Sequence, residues 1–147
     1  MPQVRKADAS WKGDLATGGG AVSASTSAVF SALPITWKAR TEQSGGLTSP
    51  EELLAAAHAS CFAMASSNNM AKAGFPPERV NVHVEITADK LEAGWTVLSS
   101  HITLRAKVPG IDQATFRTAV EGAKDGCPIS RAIKGNVEIT LDAALED

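Results

Sequence analysis

Long apolar runs are missing from this chain. The longest, from Leu53 to Ala59, is broken by His58 and followed by Ser60, which falls well short of the ~20 residues a membrane-crossing helix needs. Blocks of like charge are missing too. With 14 basic and 16 acidic residues and a net charge of −2, the chain carries no electrostatic footprint for nucleic acid or for an anionic membrane. The start, Met1-Pro2-Gln3-Val4-Arg5-Lys6, lacks the apolar core of a signal peptide, so the expected compartment is the cytoplasm. Cysteine is scarce, with only 2 residues, Cys61 and Cys127. In a reducing compartment such a pair is not expected to be a structural disulfide, and it points instead to redox chemistry or metal binding. Gly18-Gly19-Gly20 is followed by no Gly-Lys-Ser/Thr, which favours a hairpin turn over a phosphate loop. There is no internal repeat and no low-complexity linker.

What is present suits one domain, residues 1–147, with enough apolar residues (44%) for a real core. The first 40 residues read as three short strands: one ending near Trp11 before the turn Lys12-Gly13-Asp14, one over residues 21–25, and one over residues 35–39. A long helix then begins at Ser49-Pro50-Glu51-Glu52. Ser49 is a cap, Pro50 fits the first helical position, and Glu52 stands where a capping box places its carboxylate. Gly74 is the expected stop, with Pro76 beyond it. The interior of this helix is apolar nearly all round, so it should be central and buried, and its alanines permit close packing. Strands over residues 80–88 and 95–108 follow, joined by a hairpin. A second helix spans residues 113–124 with Phe116, Val120 and Ala123 on one face and Gly126 at its end. A short helix from Pro128 and a strand over residues 136–145 complete the chain. This order predicts an α+β fold with antiparallel sheet.

Few residues here can carry chemistry, and each also has a plain structural reading. Cys61 lies in mid-helix, where an unpaired cysteine behaves as a small apolar side chain. To react, it must ionise, and at an ordinary thiol pKa of about 8.5 only ~3% is thiolate at pH 7. The helix dipole helps little at that position, so a cation must come from elsewhere in the fold. Cys127 lies between Gly126 and Pro128, where it can cap a short helix and feel its amide groups. Sequence separation alone does not show whether the two sulfurs meet. Glu52 has a capping role. Glu51 has none, and is either a solvated first-turn acid or a carboxylate that orients an arginine. His58, three residues before Cys61, is a packed histidine or, with Cys61 and Cys127, part of a zinc set of weak spacing.

The segment Ser49-Pro50-Glu51-Glu52-Leu53-Leu54-Ala55-Ala56-Ala57-His58-Ala59-Ser60-Cys61-Phe62-Ala63-Met64-Ala65 resembles the central helix of the OsmC/Ohr family of thiol peroxidases. Trp11-Lys12-Gly13-Asp14 with Gly20-Ala21-Val22-Ser23 is similar to that family's N-terminal hairpin. Val108-Pro109-Gly110-Ile111-Asp112 is similar to the segment before its second long helix. Asp125-Gly126-Cys127-Pro128-Ile129-Ser130-Arg131-Ala132 is similar to its second-cysteine motif. The Cys-Pro-Ile-Ser-Arg motif and the late Arg40 resemble the OsmC branch more than the organic hydroperoxide resistance branch. The resemblance implies an intertwined homodimer in which antiparallel sheets wrap two central helices, with two sites at the subunit interface. It implies Cys61 as the peroxidatic cysteine, Cys127 as the resolving one, and Glu51 and Arg40 as the charged pair of the site. It further implies reduction of organic hydroperoxides, and of hydrogen peroxide less well, by a thiol or dithiol reductant, with the lipoyl type as a candidate, without metal or organic cofactor.

This reading is physically coherent. Arg40, held by Glu51, would supply the cation that Cys61 lacks and would stabilise the oxygen leaving as the O–O bond breaks. Arg131, Arg5 and Lys38 are the other cations whose positions allow that role. Alanine, phenylalanine and methionine around Cys61 would form an apolar mouth for alkyl peroxides. Two alternatives stand beside it: a non-catalytic binding module with Cys61 in the core, and a zinc protein using Cys61, Cys127 and His58.

Overall fold

Three short strands open the chain: β1 (Asp8–Lys12), β2 (Gly19–Ser23) and β3 (Leu33–Ile35), paired antiparallel in the order β1-β2-β3. They come from a computed structural model that describes all residues, 1–147. The turn between β1 and β2 is built by Asp14, whose carboxylate accepts from the Ala16 and Thr17 amides at 2.9 Å each. The glycines expected to form a hairpin do so for a steric reason. A Cβ on Gly18 would strike the Asp14 carbonyl, and one on Gly20 would strike the Ser10 carbonyl. The third strand differs from expectation. It ends at Ile35, and Thr36 caps a short helix, α1 (Trp37–Thr41), by accepting from the Ala39 amide at 3.1 Å. The β-prone run at residues 35–39 is therefore split by a side-chain cap, which competes with strand pairing.

Helix α2 (Pro50–Lys72) matches the expected helix at both ends. Ser49 accepts from the Glu52 amide at 3.1 Å, while the Glu52 carboxylate accepts from the Thr48 hydroxyl at 2.6 Å, so the reciprocal half of the expected box has moved one residue back. At the other end, Gly74 takes φ +93°, with Gly74 N–H bonded to Ala71 and Phe75 N–H to Met70, each at 3.0 Å. These are the paired bonds of a Schellman stop, and a left-handed residue there favours glycine. The chain divides into two compact units, residues 1–53 and 54–147, with the division in the first turn of α2.

The second unit holds a sheet of β4 (Arg79–Leu91), β5 (Gly94–Lys107) and β6 (Glu138–Leu145), in that order. The β4–β5 pair is the antiparallel hairpin expected, but β6 runs parallel to β5, so this sheet is mixed rather than wholly antiparallel. The reason is topological: α3 (Gln113–Gly126) and α4 (Pro128–Ile133) intervene between β5 and β6 and return the chain to the end where β5 began. The α+β class stands.

Alternation along β5 buries Ser100, Ile102, Leu104 and Ala106. Along α2, the stripe His58, Phe62, Ser66 and Met70 is buried at four-residue spacing. Along α3, it is Phe116, Ala119, Val120 and Ala123. These three stripes make the core, and each large apolar side chain in it contributes ~1.5–3 kcal/mol by leaving water. The opposite stripe of α2, Ala56, Ser60, Met64 and Asn68, is exposed, with Met64 at 67%. Within one chain the long helix is thus buried along one side only.

Candidate active site

In the first unit, α1 presents Arg40 to Glu51 in the first turn of α2. The guanidinium donates from Nε to both carboxylate oxygens at 3.0 and 3.2 Å, and from Nη2 to Oε1 at 2.7 Å. This is the two-pronged ion pair expected of these residues. The pair is shielded, with side chains 31% and 15% exposed, and Trp37 packs its ring under the guanidinium at 5.5 Å. That cation–π contact restrains the arginine further. The sequence gives no sign of this contact, because residues 35–39 read as a strand. In the α1 helix Trp37 stands three residues before Arg40, where the two side chains meet. Glu52, by contrast, is committed to Thr48 and the helix start, so the two adjacent glutamates have separate partners.

In the second unit, the two cysteines meet. Cys127 Sγ lies 2.8 Å from Cys61 Sγ, and both are free thiols. Cys61 is half-buried rather than part of the core, whereas Cys127 is fully buried. Cys127 ends α3, its amide bonded to the Ala123 carbonyl at 2.9 Å. It also begins α4, its carbonyl accepting from the Arg131 amide at 2.9 Å. It is thus the α4 cap expected, but its side chain makes no capping bond and turns to Cys61 instead. Pro128, with no amide hydrogen to lose, occupies the first position of α4.

Burial pushes the Cys61 thiol above its ordinary pKa, and the Cys127 side chain beside it acts in the same direction. The Ile129 backbone amide, in the first turn of α4, opposes them by bonding the sulfur. No cation is among the groups that act on the thiol. An open groove of 410 Å³ runs past Cys61, Met64, Ala65, Ala123, Gly126 and Pro128. Met64, Ala65, Ala123 and Pro128 make most of its wall apolar, and Asn68 and Asn69 add a polar side.

His58 is where the zinc reading fails. Its Nδ1 is 2.8 Å from the Ser100 hydroxyl and its Nε2 is 2.8 Å from the Ser130 hydroxyl, so both ring nitrogens are engaged. His58, Cys61 and Cys127 form no metal-holding group. The ring and both serines are buried, and burial lowers the His58 pKa. It is a packed, hydrogen-bonded histidine, neutral at pH 7. The two serines were not singled out from the sequence. The available signal was spacing: Ser130 follows Cys127 by three residues, as Cys61 follows His58.

Comparison with known proteins identifies the family. The model of the family described as "OsmC-like protein" matches residues 43–142. Peroxiredoxin OsmC of Escherichia coli K12 is 40% identical over 142 residues, covering 97% of this chain and 96% of that protein. The organic hydroperoxide resistance protein of Xanthomonas axonopodis pv. citri is 35% identical over 102 residues, covering 68% of this chain and 69% of that protein. Among solved structures, the organic hydroperoxide resistance protein OhrB of Bacillus subtilis superposes with a TM-score of 0.71 at 23% identity, over 95% of this chain and 98% of that one. With a matching family model and a relative similar along nearly its whole length, this chain belongs to the OsmC-like family.

Proposed function

We propose that this protein is a thiol-dependent peroxidase that reduces organic hydroperoxides, and hydrogen peroxide less well, through Cys61 and Cys127. The Cys61 thiolate attacks the terminal peroxide oxygen, the O–O bond breaks, and the alcohol leaves with a proton. Cys61 is left as a sulfenic acid. The Cys127 sulfur then attacks the Cys61 sulfur, the S–O bond breaks, and hydroxide departs with the thiol proton as water. An external thiol or dithiol, for which lipoyl dithiols are a first choice to test, reduces the disulfide and returns both thiols. The net reaction is peroxide plus two thiols to alcohol, water and a disulfide.

The observation that carries this reading is the 2.8 Å separation of two free sulfurs. A disulfide bond is about 2.0 Å long, so closing it asks for a shift of less than ~1 Å. The relatives' names, peroxiredoxin and organic hydroperoxide resistance protein, point to the same chemistry. In this scheme Arg40, clamped by Glu51 and Trp37, is the cation that opposes the burial of Cys61 and steadies the leaving oxygen. The whole chain works as one domain, in the cytoplasm, and as a homodimer. Support for the dimer comes from the uncharged stripe Ala56, Ser60 and Met64 on α2 and from the uncovered strand β1. No helix is long and apolar enough to cross a membrane.

The test is turnover of an alkyl hydroperoxide beside hydrogen peroxide with several thiol and dithiol reductants. The wild type should turn over and a folded Cys61→Ser protein should not. Mass spectrometry after one equivalent of peroxide should find the Cys61–Cys127 disulfide. Catalytic consumption of peroxide with both thiols still free would refute the scheme, and sedimentation of a stable folded monomer at micromolar concentration would refute the dimer.

A further inference from the structure

Two rungs join α2 to the beginning of α4. One is the contact between Cys61 and Cys127, and the other is the hydrogen bond between His58 and Ser130. His58 precedes Cys61 by one helical turn, and Ser130 follows Cys127 by three residues. Side chains at that spacing lie on one face of a helix, so the two rungs stand side by side.

The second rung matters because of what α4 lacks. It is 6 residues long, and its only buried residue is Ser130. A helix of that length is not stable by itself, so its position is set by what it packs against. Cys127 at its cap makes no side-chain bond to the α4 backbone that would fix its sulfur. The His58–Ser130 bond is fully enclosed, with exposures of 0% and 1%, so no solvent can replace it when it is broken. His58 is itself braced from the other side by Ser100 on β5. The line Ser100–His58–Ser130 thus runs from the sheet, through α2, to the turn that carries Cys127.

We propose that His58 is a positioning residue for disulfide formation: its bond to Ser130 fixes the first turn of α4, and so keeps the Cys127 sulfur within reach of the oxidised Cys61. The inference rests on the functional reading above. Two reactions compete for the Cys61 sulfenic acid. In one, Cys127 attacks it, an S–S bond forms, the S–O bond breaks and water leaves. In the other, a second hydroperoxide transfers an oxygen to it, giving the sulfinic acid and an alcohol. Positioning of Cys127 sets the ratio of the two.

The experiment treats wild type, Ser130→Ala and Ser100→Ala with increasing tert-butyl hydroperoxide in the absence of reductant. Mass spectrometry then measures Cys61 sulfinate against the Cys61–Cys127 disulfide. Ser130→Ala should raise that ratio by about tenfold or more, the usual scale for loosened reacting groups. Ser100→Ala leaves the other His58 nitrogen equally unpaired but keeps the α4 anchor, and should hold the wild-type ratio. The histidine replacements give an independent comparison, and the only one needed should Ser130→Ala fail to fold. His58→Asn, whose amide takes the place of Nδ1, should behave as Ser130→Ala, and His58→Gln, whose amide takes the place of Nε2, should stay near wild type. Equal ratios in Ser130→Ala and Ser100→Ala, or in His58→Asn and His58→Gln, overturn the inference while the wild type still forms its disulfide. A wild type that forms no disulfide overturns the functional reading and this inference with it.

Discussion

Replacing Arg40 by methionine should raise the pKa of the Cys61 thiol and slow peroxide reduction in parallel. The magnitude follows from the setting of the sulfur. At an ordinary pKa of about 8.5, ~3% of a thiol is ionised at pH 7. Burial and Cys127 push Cys61 higher, and only the Ile129 amide pulls it back. Lowering any thiol pKa by two units takes ~2.7 kcal/mol. At an effective dielectric constant of ~20, a full positive charge supplies that at a distance of ~6 Å. A guanidinium meets the requirement in kind, since it stays charged at every relevant pH and is already fixed by three hydrogen bonds to Glu51 and by the Trp37 ring. Losing it should move the Cys61 titration upward and slow the reaction at pH 7, by up to about tenfold for each unit of the shift. Glu51→Gln should shift both in the same direction but less, because the guanidinium is loosened and not removed. Glu52→Gln is the control: it weakens the helix start by ~1 kcal/mol or less and should leave the thiol alone. The assay is the pH dependence of iodoacetamide alkylation at Cys61, read by mass spectrometry, beside the peroxidase rate on the same samples. If Arg40→Met leaves both unchanged in a folded protein, the activating cation is another residue, with Arg131, Arg5 and Lys38 next in line.

Two further outcomes follow from the same geometry. Cys127→Ala removes the neighbour that raises the Cys61 pKa, so the alkylation titration should move down from that of wild type, while peroxide treatment should stall after one event and drive Cys61 to sulfinate; an unmoved titration would refute the coupling of the two thiols. His58 is held neutral by burial, its pKa below the usual 6.5, so the unfolded chain binds a proton that the folded one refuses: stability should fall as pH drops below about 6.5, by up to ~1.4 kcal/mol per pH unit until the folded pKa is reached, and urea unfolding of His58→Gln should lack that slope if the argument is right.

Elements with local signals are legible in the chain before it folds. The ends of α2 were legible because Ser49, Pro50 and Gly74 each act through their own backbone neighbourhood. The stripe Phe116, Val120 and Ala123 on α3 was legible through helical period, and the β4–β5 hairpin through alternation. Cys61, Cys127 and Glu51 stand out in the sequence because thiols and carboxylates carry chemistry in their side chains, whereas Arg40 is picked out by the family resemblance. What the sequence left open is what depends on two distant segments meeting. Cys61 and Cys127 stand 66 positions apart, and whether they meet is answered only by the packing of α2 against the turn between α3 and α4. The parallel direction of β6 depends on where two helices return the chain, and a strand's own residues do not encode the direction of its neighbour. The split of residues 35–39 into strand end, cap and helix was decided by a competition that propensity alone leaves nearly balanced. The partners of His58 lie 42 and 72 residues away, on a strand and a short helix. A histidine's role is set by the two groups its ring nitrogens face, and tertiary structure alone chooses those.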